Sequence, residues 1–419
     1  MGEVRPVRVL RGCLVATALA LGCRGDRAPA GEASRLHAAT GASSSSGSAA
    51  AAAQSAARAA GVPALPASPD GVAEIRALDR RIELHAGEPE LAILLLLERA
   101  DVRGRLDDYL EALRRSAGWV AREPSRRTAW QIRAQVLIRV HDVAGARAAL
   151  DRLRRLGREP GELEGLAATI DELAGGAAAA ARAAAYREHM ARDYPDPTTL
   201  TQWANSLAAA GRSDEALAVM QRVPAVIHDN PPELLSWILF QWGRIFEQRG
   251  ELATARAFYA AAHARMPTVE ITAHLAQATA ATAGDPSALV TAALAEDRHP
   301  SLLALAGQLD EAQRGWERYV AALPRAFAGH AARFYLDHRR DPARALALAQ
   351  LDHAGRDTPE VRALVVEAAL AAGTTAAACE LAPGLARGAP AQQFLAWRAF
   401  TACRRTDEAA ALAARLGIR

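Results

Sequence analysis

The sequence contains no lysine, and all 50 of its basic residues are arginine, balanced by 47 acidic residues. Because no segregated basic face can be found, this composition argues against binding to nucleic acid. Aromatic residues make up only 5% of the chain and β-branched residues are sparse, so few segments favour a β-strand. Alanine is abundant instead, and its high helix propensity predicts an all-α protein.

The chain also lacks the usual sequence signatures of an enzyme. It has no His-Glu-x-x-His pair, Gly-rich phosphate loop, Gly-x-Ser-x-Gly elbow or Cys-x-x-Cys pair. His330 and His338, with Asp337 and Asp341 nearby, form the one local cluster with metal-binding side chains. The two histidines are about two helical turns apart, so one ion could not bind both unless another helix supplied ligands. We therefore expect no catalytic residue, no cofactor and no metal.

Residues 1–22 have the pattern of a bacterial signal peptide. Three arginines precede an uncharged run from Cys13 to Leu21, which is too short to span a bilayer as a stable helix. The run ends in Leu-Ala-Leu-Gly before Cys23 and resembles the lipobox, in which this cysteine receives a diacylglyceryl group. Lipidation at Cys23 would anchor the mature protein to a membrane. The alternative is ordinary cleavage nearby, which would leave Cys23 as a plain thiol.

Residues 23–70 continue as a stretch of Ala, Ser, Gly and Pro without apolar periodicity. Such a composition predicts a flexible linker, with an average reach of roughly 40 Å if it behaves as a coil. Together with the lipobox, it predicts a location in the bacterial cell envelope. Arg24, rather than Asp, follows Cys23 and favours the outer membrane, facing the periplasm.

Beyond residue 71, amphipathic helical stretches recur with a turn between them. Neighbouring turns are about 31 to 39 residues apart in eight of nine intervals, near the period of helix-turn-helix repeats. Eight of the ten residues that lie five positions after a turn are alanine, which suits two closely crossing helices. The ten predicted turns lie at Gly104, His141, Gly176, Gly211, Gly250, Gly284, Gly307, Arg340, Gly373 and Arg404.

The unit from Ser236 to Val269 resembles the tetratricopeptide repeat (TPR). The matching positions, in order, are Gly243, Phe246, Gly250, Ala255, Tyr259, Ala262 and Pro267. The resemblance implies a right-handed α-solenoid in which stacked helix pairs share a continuous core. The one short interval, 23 residues, contains Pro286 and Pro300, so we predict one array over residues 71–284 and a second sub-array over 285–419.

In proteins similar to this, the first helix of each unit lines a concave groove that binds protein partners. The groove positions mix aromatic, arginine and amide side chains, of which Trp and Arg are enriched at interface hot spots. The positions that the resemblance selects are Gln131, Gln135, Arg139, Asn205, Trp237, Phe240, Arg244, Gln248, Phe327, His330, Phe334, His338, Phe394 and Arg398.

These features favour a lipid-anchored envelope scaffold or adaptor that binds protein partners. The alternative is an accessory subunit of an envelope enzyme, export or assembly complex. Cys379 and Cys403 should lie on neighbouring helices, where they form either a disulfide or two buried thiols.

Overall fold

The computed structural model describes residues 58–157, 161–228 and 231–418. Cys23, the predicted signal peptide and most of the predicted linker lie outside the described residues. The described residues form 21 α-helices and no β-strand. In chain order they are α1 Gly71–Leu84, α2 Pro89–Arg103, α3 Leu106–Arg122, α4 Arg127–Arg139, α5 Val143–Arg155, α6 Gly161–Ala174, α7 Ala177–Asp193, α8 Pro197–Ala209, α9 Ser213–Met220, α10 Pro232–Gln248, α11 Leu252–Arg265, α12 Val269–Ala281, α13 Ser287–Glu296, α14 Pro300–Leu305, α15 Leu309–Ala322, α16 Pro324–Phe334, α17 Pro342–His353, α18 Pro359–Ala371, α19 Thr375–Leu385, α20 Pro390–Ala402 and α21 Thr406–Leu416.

After α1, the helices pack as ten consecutive pairs, from α2/α3 to α20/α21. Seven of the ten first helices begin with proline, whose fixed φ and missing N–H suit the first helical position. The predicted fold class, an all-α solenoid of TPR-like helix pairs, is confirmed.

All ten predicted turns lie between the two helices of a pair. Nine of the predicted residues have a positive φ, including His141 at 55° and Arg340 at 54°. In the sixth pair the left-handed residue is Ala283, at 59°, one position before Gly284. A left-handed residue ends one helix and redirects the chain into the next, which explains why glycine predominates here.

The alanines that follow the turns lie where paired helices cross. Six of the eight have no exposed surface, whereas Ala181 is exposed. In the pair α10/α11, a Cβ on Gly243 would lie 2.7 Å from the Tyr259 ring, so this crossing requires glycine. The six buried alanines are Ala146, Ala216, Ala255, Ala312, Ala345 and Ala378.

The array closes on itself after six pairs. The turn of each of the first four pairs lies against the loop before the pair six places later, or against the first residues of that pair. Gly104 thus lies against His299, His141 against Arg325, Gly175 against Asp357 and Gly211 against Gly388. Side-chain hydrogen bonds across this seam join residues 183 to 215 positions apart. Six pairs therefore complete one superhelical turn, and the second turn packs directly on the first.

Backbone contacts and charges hold the seam together. Asp357 donates its N–H to the Ala174 carbonyl at 2.7 Å and accepts from the Gly176 N–H at 2.8 Å. Ion pairs add to these bonds, with N–O distances of 2.7 to 3.4 Å. The pairs are Arg103–Asp297, Arg318–Asp107 and Arg325–Asp142.

The helices around the 23-residue interval are short, with ten residues in α13 and six in α14. The boundary near residue 285 stays a prediction. One hydrophobic core contains both Ile93 and Tyr109 from the first predicted sub-array and Leu303 and Phe327 from the second. The two halves therefore share their largest core.

Candidate functional site: the inner helix face and an aromatic pocket

None of the fourteen predicted groove residues is exposed. The nine that are half-buried are Gln131, Gln135, Arg139, Asn205, Gln248, His330, His338, Phe394 and Arg398. The five that are buried are Trp237, Phe240, Arg244, Phe327 and Phe334, with at most 8% of their surface exposed. The buried five contact their own chain, and a partner could reach them only if helices separated.

Closure of the superhelix explains the burial of Phe327, whereas Phe240 is covered by Tyr259 and His274 of the two helices that follow it. Phe327 of α16 lies against Tyr109 of α3, with ring centroids 6.0 Å apart, so the first turn covers the inner face of the second. Tyr319 and Trp316 complete the same aromatic cluster. An open groove would leave these rings in solvent, whereas here they form the interior of the protein.

Charged side chains of the inner face pair with one another. Arg139 lies 3.3 Å from the Asp101 carboxylate, which also accepts a hydrogen bond from the Tyr109 hydroxyl at 2.9 Å. Burial raises the pKa of Asp101, and Arg139 partly opposes that effect. Burial likewise raises the pKa of Glu270, against the charges of His274 and Arg244. These pairs join α2, α4, α10 and α12 across the interior.

A second buried network joins α10 to α11 and α12. The Tyr259 hydroxyl donates to Glu247 at 2.7 Å, and His274 Nδ1 lies 3.4 Å from the same carboxylate. The Phe240 ring packs on both Tyr259 and His274, with centroid distances of 5.5 and 5.1 Å. Phe240 therefore covers a buried polar network rather than presenting an anchor to solvent.

Several of the half-buried candidates also have partners within the chain. Asn205 Nδ2 donates to the side-chain oxygen Oε1 of Gln241 at 3.1 Å, and Phe394 packs on Trp397 at 5.3 Å between centroids. His330 stacks on Trp316 and His338 on Phe334, each at 5.8 Å. Among the described residues there is no group of three or more His, Cys, Asp or Glu side chains placed to hold a metal ion.

Several groups have pKa values far from their ordinary range, among them His141, whose pKa burial lowers well below its usual value. Burial lowers the pKa of His330 to about 3, with help from Arg356, and lowers that of His299 to about 4. Burial and the nearby Glu233 carboxylate raise the pKa of Glu98 to about 7, against the opposing charge of Arg81.

These shifts predict a loss of stability in mild acid. The folded protein keeps His330 and His299 neutral, whereas the unfolded chain binds protons below a pKa of 6.5, so the free energy of unfolding falls as the pH drops from 6.5 toward 4. Glu98 acts oppositely, because its raised pKa costs stability as the pH rises from 4.5 to 7. In urea unfolding at pH 5 and 7, His330→Asn should reduce the acid loss and Glu98→Gln should enlarge it. An unchanged pH dependence in His330→Asn would contradict this assignment.

Cys379 and Cys403 are joined by a disulfide in the structure, with their Cα atoms 5.8 Å apart. The bond links α19 to the residue that caps α20. It therefore ties the last two pairs of the array together.

The structure also contains an open pocket that the sequence analysis missed. Three aromatic rings form its floor, with Phe258 packed between Trp242 and Phe246 at centroid distances of 5.2 Å each. Its volume is about 330 Å³, within the size range of ligand sites. Leu217, Gln221 and Pro224 line one side, and Ala60, Gly61 and Pro63 line the other. We call this cavity the aromatic pocket.

The pocket exists because α9 is short. It has eight residues, whereas the other second helices have 10 to 17, and Pro224 follows in a 3-10 turn. Leu217 and Gln221, at the end of α9, form the pocket wall, so the space beyond the helix stays open. Pro224, so soon after the start of the helix, was the signal in the sequence that could have revealed the gap.

No protein-family model matches the sequence, and no curated protein matches it. Among solved structures, the Cut9–Hcn1 hetero-tetramer of the APC/C is similar at 13% identity with a TM-score of 0.42, covering 76% of this chain and 64% of that one. Naa15/Naa10 bound to HypK-THB is similar at 14% identity with a TM-score of 0.23, covering 82% and 65%. The human IFIT1 dimer with m7Gppp-AAAA is similar at 15% identity with a TM-score of 0.36, covering 84% and 95%.

The chain thus spans just under two thirds of the length of the first two of these proteins. The assignment of the fold rests on the helix pairs and turns themselves. None of the described helices is long and apolar enough to cross a membrane.

Proposed function

We propose that this protein is a protein-binding scaffold of the bacterial cell envelope, anchored by lipid at Cys23 to the outer membrane and facing the periplasm. The signal-peptide and lipobox pattern of the first 23 residues supports the anchor and the location. Two or more acyl chains would hold the protein firmly, since each buried methylene contributes about 0.8 kcal/mol.

The aromatic pocket is the observation that carries the binding role. The inner face is filled by the protein's own side chains, so a partner needs another surface. The pocket offers aromatic rings, which dominate interface energetics, in a cavity large enough for an apolar side chain. Gln221, which is exposed at the rim, adds an amide that can bond to a peptide main chain.

The test is crosslinking and affinity capture from native envelopes with a plugged pocket. Gln221→Trp should fill the pocket and lose the partner that the unaltered protein captures. Arg222→Trp is the matched control, because Arg222 is the next residue, is exposed and does not line the pocket. Both substitutions are on the surface, so the thermal melting of both variants should match that of the unaltered protein.

Equal capture by the two variants would overturn the pocket as the partner-binding surface. A Cys23→Ser variant in the same experiment tests the anchor, since we expect it to move from the membrane fraction to the soluble fraction. If Cys23→Ser stays with the membrane, the lipid anchor is wrong.

A further inference from the structure

The chain's own entry segment lies along the aromatic pocket. We call residues 60–68 the docked segment; they precede α1 and end the predicted linker. Arg265, at the end of α11, donates to the Pro66 carbonyl at 2.7 Å and to the Leu65 carbonyl at 3.2 Å. Val62 and Leu65 pack against the hydrophobic core below. Residues 62–68 are thus held by main-chain bonds and by apolar side chains three positions apart, whereas residues 58–61 form a turn in which Gly61 has a φ of 75°.

Main-chain bonds make this recognition independent of most side chains. Arg265 bonds carbonyl oxygens that every peptide has, and its third contact is the Ser68 hydroxyl at 3.3 Å. Proline at positions 63 and 66 favours the extended conformation and lowers the entropy lost on docking. The surface therefore selects an extended, proline-containing segment.

The docked segment underfills the pocket. It presents Ala60 and Gly61 to the cavity, and neither has a side chain that reaches the aromatic floor, so about 330 Å³ stays empty. No residue from 58 to 70 is buried, so the segment is held by few contacts. A peptide with a larger apolar side chain in place of Ala60 would bury more of the Phe246 ring, which is half-buried.

We propose that the aromatic pocket and Arg265 form a binding site for a partner segment that enters as a turn and continues extended, with a bulky apolar residue three positions before its first proline. The docked segment occupies this site as a weak intramolecular ligand that such a partner displaces. This inference rests on the proposed binding role of the pocket and names the chemistry of the partner. Displacement releases the linker from the array, so binding also lengthens the reach of the protein from its anchor.

The test uses the full mature chain, made soluble with Cys23→Ser, and a labelled synthetic peptide. The peptide has the sequence of residues 58–69 with Ala60→Leu, and binding is measured by fluorescence anisotropy up to millimolar concentration. We expect it to bind at least tenfold more tightly than the unchanged peptide, because leucine fills the cavity. The unchanged peptide must compete with a tethered copy whose effective concentration is of the order of millimolar.

A matched pair of protein variants locates the binding. With Ala60→Leu in the protein itself, the docked segment fills the pocket, and peptide affinity should fall at least tenfold. Ala64→Leu is the control, because Ala64 is exposed in the same segment and does not line the pocket. It should leave the affinity unchanged. No binding of the Ala60→Leu peptide, or equal binding to both variants, would overturn the inference.

The two proposals fail in different ways. If the peptide does not bind but Gln221→Trp still abolishes capture from envelopes, the pocket binds a partner of other chemistry. If the peptide binds in the pocket but Gln221→Trp does not change capture from envelopes, the peptide site exists. The proposal that the pocket binds the envelope partner is then wrong.

Discussion

Gly175→Ala is expected to destabilise the protein by roughly 3 to 4 kcal/mol. Gly175 has a φ of 72°, where an alanine costs about 1 to 2 kcal/mol. A Cβ would also overlap the Asp357 carbonyl group across the seam. The two turns must then separate locally, which breaks the hydrogen bonds of Asp357 to Ala174 and Gly176, each of which contributes about 1 kcal/mol. Urea unfolding followed by circular dichroism measures the loss.

Glycines in equivalent turns provide the control for backbone strain. Gly373 has a φ of 70° with nothing within 4 Å of an added Cβ, so Gly373→Ala has the strain without the clash. A second matched pair is Gly211, whose Cβ would lie 2.7 Å from two carbonyl oxygens of the second turn, and Gly250, which faces open space. If both members of each pair lose the same stability, the seam contributes nothing. Small-angle scattering should also show a larger radius of gyration for Gly175→Ala and Gly211→Ala.

The sequence was most informative about local structure. Nine of the ten predicted turns have the left-handed residue at the predicted position, because a helix end that redirects the chain needs a positive φ and glycine adopts it readily. The exception, Ala283 beside Gly284, follows the same physics one residue earlier. The alanines at helix crossings could also be predicted from the sequence, since close packing of two helices excludes larger side chains.

The closure of the array was not predicted. It depends on the small rotation between successive pairs, which accumulates over six pairs. The sequence of a single repeat does not determine that rotation. Gly175 and Gly211 serve both a turn and a close approach to the second superhelical turn, while Gly250 and Gly373 serve the turn alone. Nothing in the sequence separates the two roles, because glycine satisfies both.

The candidate site was harder to predict for the same reason. Position within a repeat places Phe240 and Phe327 on the inner face. Whether they contact solvent or other side chains of the protein depends on how far apart the opposing inner helices lie. Phe327 joins a core that spans both superhelical turns, whereas the core around Phe240 lies within the first turn. The aromatic pocket arises from the length of α9, a boundary that periodicity locates poorly.

Arg356→Met is expected to cost roughly 3 to 5 kcal/mol, the largest effect of any single side chain considered. The Arg356 guanidinium bonds both oxygens of Asp352, at 2.7 and 2.9 Å, and the two residues are 7% and 2% exposed. Gly329 lies directly against the carboxylate, where an added Cβ would overlap Asp352 Oδ2, so the carboxylate is enclosed on that side. An unpaired buried carboxylate is among the most costly defects in a protein interior.

A double-mutant cycle separates the unpaired charge from lost packing. Asp352→Asn combined with Arg356→Met removes the charge, so the double variant should recover a large part of the stability lost in Arg356→Met. Arg212→Met is the control for an exposed pair of similar geometry, since Arg212 bonds Glu215 at 2.7 and 2.6 Å with both side chains at least half exposed. It should leave the urea midpoint unchanged, because solvent screens such pairs. A loss in Arg356→Met no larger than in Arg212→Met would show that water reaches Asp352.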